Sequence, residues 1–269
     1  MVSKLLRHEF RATQRIILPL CLLLFVTAGL FNVSMGMMEN EHYAVQWPTQ
    51  VFSAVSTTSF IVSIIGVSVL VWALMIYRFY KNLMTDEGYL MFTLPVTTSQ
   101  IIFSKLIVTM VWSVVTLLMD ALATVLAFCR MVTIDDVRYV WQEVQSVLRQ
   151  LSTGDVIGYA VELAVLLLFG VIASYLTYYA AIALGHSFAN HKILLSVVFY
   201  FVFSIAMQII ESIFTVIAMT ATVAADWEEF NPFTLGHWGL GIAAALTVLQ
   251  AVIFYILTHA MLRKRLNLQ

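Results

Sequence analysis

Six long apolar runs dominate the chain, and nearly all charged residues lie in the gaps between them. A bilayer core about 30 Å thick is crossed by a helix of roughly 20 apolar residues, so each run is long enough to span it. Backbone polar groups find no water in lipid, so such runs form helices. The pattern predicts an all-α membrane protein with six transmembrane helices in a single transmembrane domain, residues 1–269. The runs cover about residues 16–38, 53–77, 104–128, 156–184, 193–222 and 238–260.

The composition excludes a soluble globular domain. Hydrophobic residues make up 61% of the chain and charged residues only 11%, whereas a soluble domain carries about 25% charged residues. The mean hydropathy is +0.92. Because there is too little polar surface to cover a globule, lipid is the solvent that suits this chain.

The lysines and arginines predict the orientation, because they concentrate in short cytoplasmic loops. With the N-terminus inside, eleven of the fourteen basic residues fall on the inner side and three in one long outer loop. Both termini are therefore predicted to be cytoplasmic. The inner residues are Lys4, Arg7, Arg11, Arg15, Arg78, Lys81, Lys105, Lys192, Arg263, Lys264 and Arg265, and the outer ones are Arg130, Arg138 and Arg149.

Two amphipathic segments flank the apolar runs. Residues 1–15 carry a basic residue every three or four positions, which predicts an amphipathic helix along the inner membrane surface or, equally, a plain basic flank. The outer loop, residues 130–155, has apolar residues at helical spacing over 137–151. That spacing predicts a helix resting on the outer interface.

The motifs of common catalytic sites are missing from the sequence. A P-loop needs G-x-x-x-x-G-K-[ST], but no lysine here follows a glycine or precedes a serine or threonine. His186 and His191 share a short inner loop, yet without a nearby acid or thiolate they form a weak metal pair. We expect no enzymatic activity, no cofactor and no metal site, so any ATP hydrolysis would reside in partner subunits.

Three carboxylates, Asp120, Glu162 and Glu211, fall inside the apolar runs. Charged residues within a membrane are costly and usually face a cavity or a partner. Counting along the helices from their inner ends places all three in the outer half of the membrane. They predict either an acidic outward vestibule that receives a cationic solute, or three hydrogen-bonded packing residues near the interface.

The inner loop between the second and third runs, residues 78–103, mixes leucines with charges. Gly88 is expected to break it, Pro95 to end it, and Thr98 and Ser99 to cap the next helix. A structured cytoplasmic segment of this kind is what a soluble partner would push on. An interfacial connector would have the same composition.

Six spans with both ends inside, a basic amphipathic N-terminus and no nucleotide site resemble the permease subunits of type-2 ABC exporters. The Asn231-Pro232 turn before the last run is similar to that family as well. More specific is the inner loop, which resembles permeases encoded beside ATPase subunits in Gram-positive bacteria. Its matching segments are Asp86-Glu87-Gly88-Tyr89-Leu90-Met91-Phe92-Thr93-Leu94-Pro95 and Ser104-Lys105-Leu106.

The resemblance implies a membrane-spanning permease subunit of an ATP-driven exporter in the bacterial cell membrane. The inner loop would be a coupling helix seated in a cleft of cytoplasmic ABC ATPase subunits. A second permease chain, identical or homologous, would share the translocation path within the lipid bilayer, and no nucleic acid would be involved. The solute stays open, because fold-level likeness does not select it. The implied ATPase contacts are Tyr80, Lys81, Asp86, Glu87, Gly88, Tyr89, Leu90 and Leu94.

Two other functions remain compatible with the sequence. One is a self-sufficient secondary transporter or channel that uses Asp120, Glu162 and Glu211 as proton or cation sites. The other is a membrane protein for peptide immunity, which would intercept peptides at the outer loops.

Overall fold

A computed structural model describes residues 2–85, 87–88, 96–188, 190–224 and 232–264, and this part of the chain contains helices and no strands. Seven of the helices have 17 or more residues, and α2 is a single turn. The helices are α1 (Val2–Met38), α2 (Glu41–Ala44), α3 (Trp47–Met84), α4 (Thr98–Phe128), α5 (Ile134–Gln150), α6 (Thr153–Gly185), α7 (Lys192–Ala224) and α8 (Pro232–Lys264).

Six of these helices are long and apolar enough to cross a membrane, which indicates a multi-pass membrane protein. They correspond one to one with the six predicted runs. Each helix begins before its apolar run and ends at or beyond the end of that run. Helical structure continues into the polar residues that flank the run. The longest, α3, has 38 residues and measures about 57 Å at 1.5 Å per residue.

Helix α1 runs without a break from Val2 to Met38 and includes Pro19. The basic segment of residues 2–15 and the first span thus form one helix instead of two. A proline removes one backbone hydrogen bond, whereas ending a helix within lipid would expose several polar groups. The early part of α1 also packs: the indole nitrogen of Trp112 on α4 donates to the Thr13 hydroxyl at 2.7 Å.

Contacts divide the chain into two compact units, Met1–Met75 with Ile107–Ser146, and Ile76–Leu106 with Val147–Gln269. In the first unit, Phe31 on α1 is buried between two rings, Phe60 on α3 at 5.3 Å and Phe128 on α4 at 5.2 Å between centroids. This aromatic cluster joins three helices within the unit.

In the second unit, small residues let the helices approach closely. A Cβ on Gly185 at the end of α6 would lie 2.5 Å from the backbone nitrogen of Ser196 on α7. A Cβ on Gly236 of α8 would lie 3.2 Å from the ring of Tyr159 on α6. Close packing through glycine is the usual device for helix association in lipid.

Candidate functional site

The last turns of α3 lead into the 78–103 loop and pack tightly against the end of α6. The rings of Phe79 and Tyr179 are fully buried and stack with centroids 3.8 Å apart and planes 6° apart. One residue later, Tyr80 meets the edge of the His186 ring at 5.3 Å. The base of the loop is therefore fixed to the loop that follows α6.

His186 is held by its backbone surroundings. Its Nδ1 lies 2.9 Å from the carbonyl oxygen of Ile182, and because a carbonyl only accepts, Nδ1 carries the proton. Burial lowers the pKa of His186 below its ordinary value, and the nearby positive charge of Lys192 lowers it further, while the bond to Ile182 acts in the opposite direction. The ring is therefore neutral at pH 7, which suits its packing against Tyr80.

Within the proposed coupling segment, Lys81 pairs with Glu87 at 3.3 Å, with both side chains about half exposed. The backbone N–H of Gly88 donates to the carbonyl of Thr85 at 2.7 Å, and Gly88 is buried. The remaining implied contacts, Asp86, Tyr89, Leu90 and Leu94, lie outside the described residues.

The start of α4 is capped by Thr97, not by Thr98 or Ser99 as predicted. The Thr97 hydroxyl accepts from the N–H of Gln100 at 3.3 Å, and the Gln100 side chain accepts from the N–H of Thr97 at 3.1 Å. This reciprocal pair is a capping box, and its T-x-x-Q signature is present in the sequence. The prediction named Thr98 and Ser99, the two residues that directly follow Thr97.

The three intramembrane carboxylates have different surroundings. Asp120 belongs to the first unit, while Glu162 and Glu211 belong to the second. Asp120 accepts from the hydroxyl of Ser68 through Oδ2 at 2.7 Å. Its Oδ1 is buried and has no hydrogen-bond partner in the part of the chain that the structure describes.

Glu162 belongs to a cluster of polar side chains that joins α6 and α8. Nδ1 of His237 lies 3.0 and 3.1 Å from the two Glu162 oxygens, and its Nε2 lies 3.8 Å from Asp155. The imidazole also stacks on the ring of Tyr159 at 3.7 Å. A Cβ on Gly158 would lie 2.9 Å from the imidazole, so the glycine leaves room for it. A histidine between two acids can exchange protons.

The sequence prediction did not include His237 in a site, because its acid partner lies 75 positions earlier in the chain. A local signal existed. Asp155, Tyr159 and Glu162 follow at intervals of four and three, which places them on one face of a helix. Among the described residues, no group of three His, Cys, Asp or Glu side chains is arranged so that it could hold a metal ion.

Glu211 on α7 faces a cavity of about 440 Å³ between α6, α7 and α8. Glu211 is exposed, and its carboxylate has no ion pair or hydrogen bond within the described ranges. Both Glu162 and Asp120 are absent from the lining of this cavity. The three acids are thus one hydroxyl-bonded acid, one histidine-bonded acid and one acid at a cavity, and the vestibule stays a prediction.

Comparison with known proteins finds no matching family model, curated protein or solved structure.

Proposed function

We propose that this chain is the membrane-spanning permease subunit of an ATP-driven exporter of the type-2 ABC class, located in a bacterial cell membrane. It would work with a second permease chain and with separate cytoplasmic ATPase subunits. The observation that carries the proposal is the packing of the end of α3 onto the end of α6, at the base of the segment that resembles a coupling helix.

The length of α3 supports this role. A helix of about 57 Å is longer than a bilayer core of about 30 Å requires, so it carries the 78–103 loop away from the hydrocarbon. Packed interiors are stiff and transmit displacement. Because Phe79 and Tyr179 are fully buried against each other, a push on the loop would move α6 together with α3.

ATP binding and hydrolysis would take place in the partner subunits, since the chain has no phosphate-binding lysine motif. Closure of two ATPase subunits would shift the 78–103 loops of two permeases. The spans would then alternate between inward and outward access to a path between the permeases.

The coupling segment is tested by Asp86→Asn combined with Glu87→Gln in the complete complex. We expect ATPase stimulation by the permease to fall while the helical content and thermal stability stay unchanged. The only described ion pair of this segment, Lys81 with Glu87, is surface-exposed and worth about 0–1 kcal/mol. Asp135→Asn on α5 is the matched control. Unchanged coupling in the double variant would exclude this segment as the ATPase contact.

A second function is a self-sufficient transporter driven by a proton or cation gradient. It is favoured by the bonds of His237 to Glu162 and by the buried Oδ1 of Asp120, which has no hydrogen-bond partner among the described residues. The test is transport by proteoliposomes that contain this chain alone. Solute flux that stops when the ion gradient is dissipated, and in the Glu162→Gln variant, would establish this second function. The exporter requires ATP and a soluble partner for flux.

A further inference from the structure

The cavity beside Glu211 lies entirely within the second unit. Its walls include Leu166 of α6, Phe214 and Thr215 of α7, and Gly239 and Leu246 of α8. Its volume of about 440 Å³ falls within the range of about 300–1,000 Å³ that is typical of small-molecule sites. Apart from Glu211 and two threonines, the lining residues within the described ranges are apolar.

The two threonines do not neutralise the carboxylate. The hydroxyl of Thr215 donates to the backbone carbonyl of Glu211 at 2.8 Å, and that of Thr247 donates to the carbonyl of Ala243 at 2.8 Å. Each hydroxyl has a single proton, and each proton is already used. Among the lining residues that the structure describes, Glu211 is therefore the only charged group, and no side chain of these residues donates to it.

An acid inside a spanning helix needs a compensating partner, because charge in lipid costs several kcal/mol. Asp120 and Glu162 have such partners in Ser68 and His237. Glu211 differs from both of them: its surroundings are an apolar cavity large enough for a molecule. The complementary occupant is positively charged at one point and apolar elsewhere.

We propose that this cavity is a binding site for a hydrophobic organic cation, with the positive charge against the Glu211 carboxylate and the apolar groups against α6 and α8. The site does not rest on the exporter function, since the described residues of this chain form it alone. In an exporter, such cations would be candidate substrates.

Binding is measured with the full chain in phosphatidylcholine nanodiscs, without ATP or partner subunits. The probe is tritiated tetraphenylphosphonium, a bulky apolar cation, and the saturable fraction is obtained by displacement with the unlabelled ion. We expect saturable binding that Glu211→Gln weakens by about tenfold or more, since a charge contact in a partly apolar site is worth several kcal/mol. Neutral triphenylphosphine should compete poorly with the wild type.

The matched charge control is Glu162→Gln, which neutralises a second intramembrane acid outside the cavity lining and should keep the affinity. The cavity itself is tested with Gly239→Leu. A Cβ at Gly239 meets no atom within 4 Å, so the new side chain fills space and should reduce binding about tenfold. Gly170→Leu is its control, because Gly170 is equally open and lies outside the lining.

Three results would overturn the proposal: the same affinity with Glu211→Gln, an equal loss with Glu162→Gln, or equal competition by triphenylphosphine. The last would mean that the cavity holds uncharged apolar groups such as lipid tails. Because no ATPase takes part, failure here leaves the exporter function standing, and success here does not establish it.

Discussion

At the scale of single residues, His186 links protonation to the stability of the second unit. Its pKa is lowered by burial and by Lys192, whereas a histidine in an unfolded chain titrates near about 6.5. Near and below that pH, His186 binds a proton more readily in the unfolded state than in the folded state. Stability therefore rises with pH through this window and falls on acidification.

We expect the apparent melting temperature to drop between about pH 7.5 and pH 5, and His186→Gln to make that drop smaller. The groups facing His186 are Tyr80, Lys192 and Ser196. Tryptophan fluorescence of the purified chain during heating gives the measurement. The control is His8→Gln, since His8 is exposed on α1, and an equal flattening in that variant would contradict the assignment to His186.

Gly185 is the second residue with a specific prediction. A Cβ at Gly185 would lie 2.5 Å from the backbone nitrogen of Ser196. This clash is not relieved by a rotamer change, because the contacted atom belongs to the backbone. We expect Gly185→Ala to lower the free energy of unfolding by about 1–3 kcal/mol, as overpacking does. Thermal unfolding in detergent measures it.

Gly170→Ala on the same helix is the control for Gly185→Ala. A Cβ at Gly170 meets nothing within 4 Å. Alanine is the better helix former by about 0.5–1 kcal/mol, so this variant should be neutral or slightly stabilising. If both variants behaved alike, the close approach of α6 and α7 at Gly185 would be refuted.

At the scale of elements, α5 stands out, because none of its residues is buried although one face is apolar. It is capped by Thr133, whose hydroxyl and backbone N–H both donate to Asp136. These bonds lower the pKa of the Asp136 carboxyl. A helix with one apolar face and no protein cover is typical of the membrane interface.

We predict that the apolar face of α5 contacts lipid. An environment-sensitive dye on Val144→Cys should emit at shorter wavelength and be quenched by brominated lipid. The same dye on Gln142→Cys, about 200° around the helix, should behave as in water. Cys21 and Cys129 are replaced by alanine beforehand, since both are free thiols. Equal quenching at both positions would contradict the orientation.

The elements were largely predictable from the sequence, because apolar runs and helical spacing are local signals. All six spans and the α5 helix were predicted. The continuity of α1 from Val2 into the first span was not, since residues 1–15 were expected to form a separate interfacial helix or a plain basic flank. The stacking of Phe79 on Tyr179 was not predictable from the sequence either. The two residues are 100 positions apart and leave no local pattern, and each aromatic residue alone is compatible with any apolar helix face.

For the candidate site, the sequence singled out three intramembrane acids but not the side chains that surround them. Asp120, Glu162 and Glu211 were all identified because a carboxylate in an apolar run is conspicuous. Which of them is bonded to a hydroxyl, to His237 or to a cavity depends on neighbours from other helices. Tertiary packing decides that, and residue type does not.

At the scale of the whole molecule, the features on which both proposals rest lie in the second unit. The second contains the packed base of the 78–103 loop, the His237 cluster and the cavity at Glu211. The segment proposed to receive the ATPase and the site proposed to hold a cation thus share α6, to which Tyr179 and Leu166 belong. Displacement of α6 would therefore reach the cavity.

The most direct test of the exporter function is purification of the tagged chain from its native host in mild detergent, followed by mass spectrometry of the proteins that co-elute. Crosslinkers placed at Asp86 and Tyr89 capture a weakly bound partner. The proposal predicts a soluble P-loop ATPase in stoichiometric amount, attached at these two positions, together with a second permease chain. A chain that elutes without any ATPase even after crosslinking would contradict the account and favour a self-sufficient transporter or a peptide-immunity protein.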